Sequence, residues 1–151
     1  MGNEQLDRVI EAMVRIPSIT RRKIHQDVFR IVLEQVGPDI ALHHIIIMKV
    51  LQESGKLHSS EIGDMTAIAK PQITHSIDNL VKKGLVERRW DARDRRKINI
   101  RLTQKGRDKL EIIDEIIRSH LKARLSTLSD DELEKLADSF QYVAQIFSKL
   151  Q

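Results

Sequence analysis

The chain contains no cysteine. That excludes a disulfide scaffold, a thiol nucleophile, a thiolate metal site and a cysteine-based redox sensor. Aromatic residues are nearly as scarce, at 3% of 151 residues, so aliphatic side chains must build the core, and a 40% hydrophobic content can supply them. No apolar run approaches the ~20 residues of a membrane-spanning helix. The opening MGNEQLDRVIEAM has an acidic helical character and lacks a signal-peptide pattern. Also missing are an HExxH pair, a P-loop and a glycine-rich dinucleotide turn. The carboxylates show no recognisable acid/base pair. The expectation is a soluble, cytoplasmic, single-domain protein without membrane contact, cofactor or catalytic activity.

Six histidines are present: His25, His43, His44, His58, His75 and His120. None has a paired-ligand spacing with a nearby acid, so no metal site is expected. His43 and His44, near a helix start, are either packed or surface histidines or the lining of a ligand pocket.

Charge is unevenly placed. Residues 1–69 carry a net −1, residues 70–109 a net +8 and residues 110–151 a net −3. A basic segment between mildly acidic flanks is the footprint of a phosphate-backbone binder, or else a solvated basic face.

Apolar spacing predicts helices through most of the chain. Leu6, Val9, Ile10 and Met13 form one stripe, and Ile24, Val28, Ile31, Val32 and Val36 another, with a break expected near Ile16 because Pro17 follows. Gly37-Pro38 ends this region. A helix over about 41–53 is closed by Ser54-Gly55. Leu57-His58 reads as a short extended connector, and Ser59 and Ser60 as caps of a brief helix holding Ile62 and Met65. After a turn through Ala67-Ile68-Ala69, a helix runs over about 70–83, with Pro71 in its first turn and Gly84 as its stop. Residues 85–90 and 98–102 read as strands around a charged hairpin tip, 91–97. Thr103 caps a long helix to about Leu125 or Ser126. Ser129 caps the last helix, where Glu132 completes a capping box. Its seam, Leu133, Leu136, Phe140, Val143, Phe147 and Leu150, alternates steps of three and four.

The order helix, turn, helix, strand, basic hairpin, strand suits a helix-turn-helix whose second helix enters the DNA major groove. In that helix Ile73, Ile77 and Leu80 face the core. Lys70, Gln72, Thr74, His75, Ser76 and Asn79 are read as its DNA side, where Gln and Asn pair with adenine and Thr offers a hydroxyl or methyl. At the hairpin tip Arg93, Arg95, Arg96 and Lys97 crowd together, with Asp91 and Asp94 placed to stiffen the loop. Arginines suit a narrow minor groove. Exposed Asp–Arg pairs contribute only ~0–1 kcal/mol, which is little reason for so many charges.

The stretches Leu80-Val81-Lys82-Lys83-Gly84-Leu85-Val86-Glu87-Arg88, Asp91-Ala92-Arg93-Asp94-Arg95-Arg96 and Leu102-Thr103-Gln104-Lys105-Gly106 resemble the MarR family of bacterial and archaeal transcription regulators. The resemblance covers essentially the whole chain. It implies a mainly α (α+β) winged helix-turn-helix fold and a triangular homodimer. Residues 1–37 and 110–151 would form a helical dimerisation region and 38–109 the DNA-binding lobe, within one compact domain. It further implies a pseudo-palindromic operator in double-stranded DNA, release by a small-molecule effector, and repression rather than activation. By position, Gln72, Thr74 and His75 meet bases, and Arg93, Asp94, Arg95, Arg96 and Lys97 form the wing. Leu6, Ile10 and the seam from Leu133 to Leu150 need burial and are read as the dimer interface, or else as packing within one chain, and Met13, Ile16, His43 and His44 lie toward the effector pocket. Ala69 replaces a common capping Ser, and His75 a common Arg. Two other functions fit less of this pattern: a winged-helix module for protein contacts, and a metal- or cofactor-dependent enzyme on a helical scaffold.

Overall fold

The computed structural model describes residues 2–92, 94 and 96–150, so Arg93 and Arg95 lie outside the described residues. The first elements are α1 (Gly2–Thr20), a π turn (Arg21–His25), α2 (Gln26–Val36) and α3 (Leu42–Ser54). Then come β1 (Lys56–Leu57), α4 (Ser59–Thr66), α5 (Lys70–Lys82), β2 (Val86–Trp90), β3 (Ile98–Leu102), α6 (Gln104–Leu125) and α7 (Asp130–Phe147). The winged-helix expectation holds: the helices accompany one antiparallel sheet of order β1-β3-β2. No helix among the described residues is long and apolar enough to cross a membrane.

Two local expectations are corrected. Pro17 does not break the first helix near Ile16 but sits inside α1. Proline costs the helix one N–H bond, and the backbone stays helical on both sides of it. The irregularity falls after Thr20 as the π turn, where the Thr20 hydroxyl donates to the Ile16 and Pro17 carbonyls at 3.0 and 3.2 Å. Likewise Ser59 and Ser60 do not cap α4. The cap is His58, still extended as it leaves β1, with its Nδ1 3.0 Å from the Ile98 carbonyl. The Glu61 carboxylate accepts the His58 N–H at 2.7 Å, so the serines fall inside the first turn.

The chain divides into two compact units, Met1–Ile117 and Arg118–Gln151. In the first, Ile47, Met48 and Leu51 of α3 share a core with Ile62, Ile73, Ile77, Leu80, Ile100, Leu110 and Ile113, each at most 1% exposed. Burying each such side chain contributes ~1.5–3 kcal/mol. Lys49 of α3 pairs with Asp114 of α6. Val28 and Val32 of α2 are buried, whereas Leu6, Val9, Ile10 and Met13 of α1 are about half exposed.

In the second unit α7 starts as expected. Ser129 Oγ accepts the Glu132 N–H at 3.3 Å, and the Glu132 carboxylate accepts the Ser129 N–H at 2.9 Å. That backbone bond, then the Ser129 hydroxyl, holds the Glu132 carboxyl below its ordinary range. Leu133 and Leu136 are partly covered; Phe140, Val143, Phe147 and Leu150 are exposed.

Candidate nucleic-acid interface

The turn before α5 contains Ala67 in the left-handed region (φ 53°, ψ 22°). Alanine is disfavoured there, but the tight reversal between α4 and α5 demands it. The cap of α5 is Ala69, which offers no side-chain hydrogen bond. Ile73, Ile77 and Leu80 are buried as the spacing predicted. Lys70, Gln72, Thr74 and His75 are exposed. Ser76 is a correction: it is fully buried and donates to the Gln72 carbonyl at 2.6 Å, so it has no outward surface for DNA. Its offset of three from Ile73 places it on the inner face, and its back-bond to the helix lets a small hydroxyl be buried there. Asn79 is half-buried, its amide nitrogen 3.1 Å from His75 Nε2.

The structure joins His43 to this helix. The Gln72 amide nitrogen lies 3.2 Å from His43 Nε2. The His43 and His44 rings are edge-to-face, with centroids 4.4 Å apart. His44 itself is buried at the start of α3, and its Nδ1 accepts the Ala41 N–H at 3.1 Å. The neutral ring therefore carries its proton on Nε2, which is buried and has no hydrogen-bond partner among the described residues. Burial first, then the charges of His43, Lys83 and His75, push the His44 pKa down to about 4. Among the described residues no three His, Asp or Glu side chains cluster as metal ligands.

β2 and β3 run antiparallel from Val86↔Leu102 to Trp90↔Ile98. At the tip Asp91 N–H donates to the Lys97 carbonyl and Lys97 N–H to the Asp94 carbonyl, both at 2.9 Å. Asp91 accepts from the Asp94 N–H at 3.2 Å and from the Asn99 amide at 2.8 Å. Asp94 accepts both the backbone N–H and the Nε of Arg96, at 3.0 and 3.3 Å. Asp94 is thus a loop-holding residue, and the Arg96 side chain beside it is 92% exposed. Lys97 is exposed as well. At the hairpin base, Arg101 and then Arg89 hold the Glu87 carboxyl below its ordinary range. Arg88 reaches across to Asp78 of α5 at 2.6 Å, tying the wing to that helix.

In the Leu-Thr-x-x-Gly stretch Thr103 caps α6 as expected, but sequence reasoning missed its link to Gly84 and the role of Gly106. The Thr103 hydroxyl donates to the Gly84 carbonyl at 2.6 Å and accepts the Gly106 N–H at 3.0 Å. Gly106 lies so close to the Leu85 backbone that any Cβ would collide with its carbonyl. Glycine there lets α6 press onto the strand entering the wing.

The residues read as an effector pocket are placed apart in character. Met13 and Ile16 are exposed on α1, and the hollow beside Ile16 is lined by Arg8, Glu11, Ala12, Arg15 and Ile19, without His43 or His44. A different cavity, of about 340 Å³, has Val36, Ile40, Leu85 and Ile112 on its apolar walls and Lys83, Lys105, Lys109, Asp39 and Asp108 as its charged ones. Nothing in the spacing of these residues along the chain announced it.

A polar-faced second helix, a reversal before it and a basic hairpin tied to it define a winged helix-turn-helix transcriptional regulator. The chain belongs to the family described as transcriptional regulator SarA/Rot, whose model matches residues 28–113. It is similar to the HTH-type transcriptional regulator FarR of Neisseria gonorrhoeae, at 27% identity over 135 residues, 89% of this chain and 91% of that protein. It shares the fold of an E. coli MarR mutant solved with operator DNA, with TM-score 0.60 and 21% identity over 91% of this chain and 96% of that one. NadR, solved with 4-hydroxyphenylacetate, is similar at TM-score 0.65 and 26% identity, covering 91% of this chain and 99% of that one. The MarR-type resemblance read from the wing is borne out.

Proposed function

We propose that the chain is a ligand-responsive repressor that binds a pseudo-palindromic operator as a homodimer. Residues 70–83 enter the major groove and the wing, 91–97, reaches the minor groove. The Arg88–Asp78 ion pair carries this reading, because it couples the hairpin to α5 so that both meet one duplex in a set relation. Gln72, Thr74 and His75 face the bases, and Lys70 takes a backbone phosphate. Arg96 and Lys97, with Arg93 and Arg95, take the narrow groove beside it. The E. coli neighbour on operator DNA supports this use of the fold.

Leu6 and Ile10 on α1, and the row from Leu133 to Leu150, each offer exposed apolar surface to a second copy. A two-fold partner would cover it and set two half-sites about one DNA turn apart. For the effector, the resemblance points to Met13, Ile16, His43 and His44. The cavity lined by Val36, Ile40, Leu85 and Ile112 is a further candidate, suited to a small molecule with an apolar body and a polar end that its three lysines and two aspartates can meet.

A mobility-shift titration against duplex from the region upstream of the protein's own gene tests the core of this reading. Binding should weaken steeply as salt rises. The absence of any salt-sensitive shift overturns it.

A further inference from the structure

Trp90 is the only tryptophan of the chain, and it ends β2 with 68% of its surface exposed. Its direction follows from the register. The pairs Val86↔Leu102, Arg88↔Ile100 and Trp90↔Ile98 lie on one face of the hairpin. Val86, Leu102 and Ile100 on that face are buried, and Arg88 on it reaches Asp78 of α5. Trp90 and Ile98 therefore continue the core face beyond the end of the core, on the side where α5 lies. Ile98 is 38% exposed. Trp90 makes no hydrogen bond among the described residues, so its indole N–H is an unused donor.

A tryptophan left in water forgoes a large apolar contribution. Two features say what covers it. The patch is essentially two side chains, far short of the ~800 Å² per partner of a stable protein interface. It is also flanked by the exposed cations Arg96 and Lys97, which match a polyanion. We propose that Trp90, with Ile98 beside it, is an uncharged DNA contact of the wing. The indole face packs against deoxyribose along the groove edge, and its N–H donates to a phosphate oxygen. The inference rests on the DNA-binding reading above and adds an apolar contact to a wing read until now only through its charges.

The single tryptophan makes the test direct. The unmodified full chain is titrated with the upstream duplex while intrinsic fluorescence is followed, and Trp90→Ala, Trp90→Phe and Arg96→Ala are compared by mobility shift over a range of salt. Thermal melts confirm that the variants fold. Fluorescence should change and saturate with binding. Trp90→Ala should weaken binding about tenfold at every salt concentration with the salt slope unchanged, because the indole carries no charge. Trp90→Phe should recover part of the loss, and Arg96→Ala should flatten the slope instead. Unchanged fluorescence at saturating duplex, or a Trp90→Ala variant as tight as the unmodified chain, overturns the Trp90 contact and leaves DNA binding standing. Full DNA affinity in Trp90→Ala with loss of promoter control in cells assigns the patch to a protein partner and also overturns it. No binding of any duplex by the unmodified chain overturns both readings.

Discussion

The junction of wing and α6 and the helices near the chain's ends treat apolar and polar groups in opposite ways. At the junction Thr103 bonds to Gly84, Leu85 and Gly106, and glycine lets backbone meet backbone, so one chain seals the region by itself. On α1 and α7 the apolar rows face outward: Ile10 is 49%, Phe140 62% and Phe147 47% exposed. Surface of this kind is stable in water when something else covers it. The lobe buries its apolar side chains within one copy of the chain, whereas α1 and α7 leave theirs in contact with solvent.

If closure of the lobe depends on that backbone contact, Gly106→Ala should give the largest effect, a loss of about 3 kcal/mol or more, read as a lowered Tm. A melt within a degree or two of the unmodified chain would remove the contrast between the regions.

His44 sharpens the same contrast, being a polar group that the lobe buries. Its folded pKa of about 4 lies below the 6.5 of a free histidine, so its neutral form stabilises fully above pH 6.5. That share is lost as pH falls from 6.5 toward 4, by as much as roughly 3 kcal/mol. His44→Asn keeps an acceptor for the Ala41 N–H and should flatten the acid limb of a Tm-against-pH curve. An unchanged limb would mean another group carries the acid sensitivity.

On the other side of the comparison, Phe147→Asp should shift sedimentation toward a smaller species and leave the acid limb of His44 intact. A variant sedimenting like the unmodified chain would count against α7 as a dimer surface. Arg96→Ala should reduce the slope of log affinity against log salt by about one unit, with little change in Tm. Smallest of all, Ala67→Gly should raise stability by about 1 kcal/mol, since glycine accepts the left-handed backbone without strain.

Much of the fold was legible because its signals are local. The inward phase of Ile73, Ile77 and Leu80 follows from helical spacing, and the Ser129–Glu132 box from residues three apart. The wing strands follow from alternation around a charged tip. The site was legible in outline, as a polar α5 face and a basic hairpin, but its internal wiring was not. Ser76 looked outward because its hydroxyl is polar, and only the packing of α5 shows it inside. The loop-stiffening role read for Asp94 is the part of the wiring that was legible, because the Arg96 groups it accepts from are only two residues on. The Gln72–His43 link joins residues 29 positions apart, beyond any spacing rule.

By itself, then, the sequence determined the element order, the basic wing and the family, because periodicity, turn chemistry and a short motif are properties of neighbouring residues. The tertiary structure decided that Pro17 is absorbed within α1, that His58 rather than Ser59 starts α4, and that Gly106 is a contact point. It also decided that His44 is held neutral and that Trp90 stands on the face toward α5. Apart from Pro17, each of these depends on a group distant in the chain: the Ile98 carbonyl beside His58, the Leu85 carbonyl over Gly106, Lys83 and His75 around His44, and the register that aligns Trp90 with Ile98.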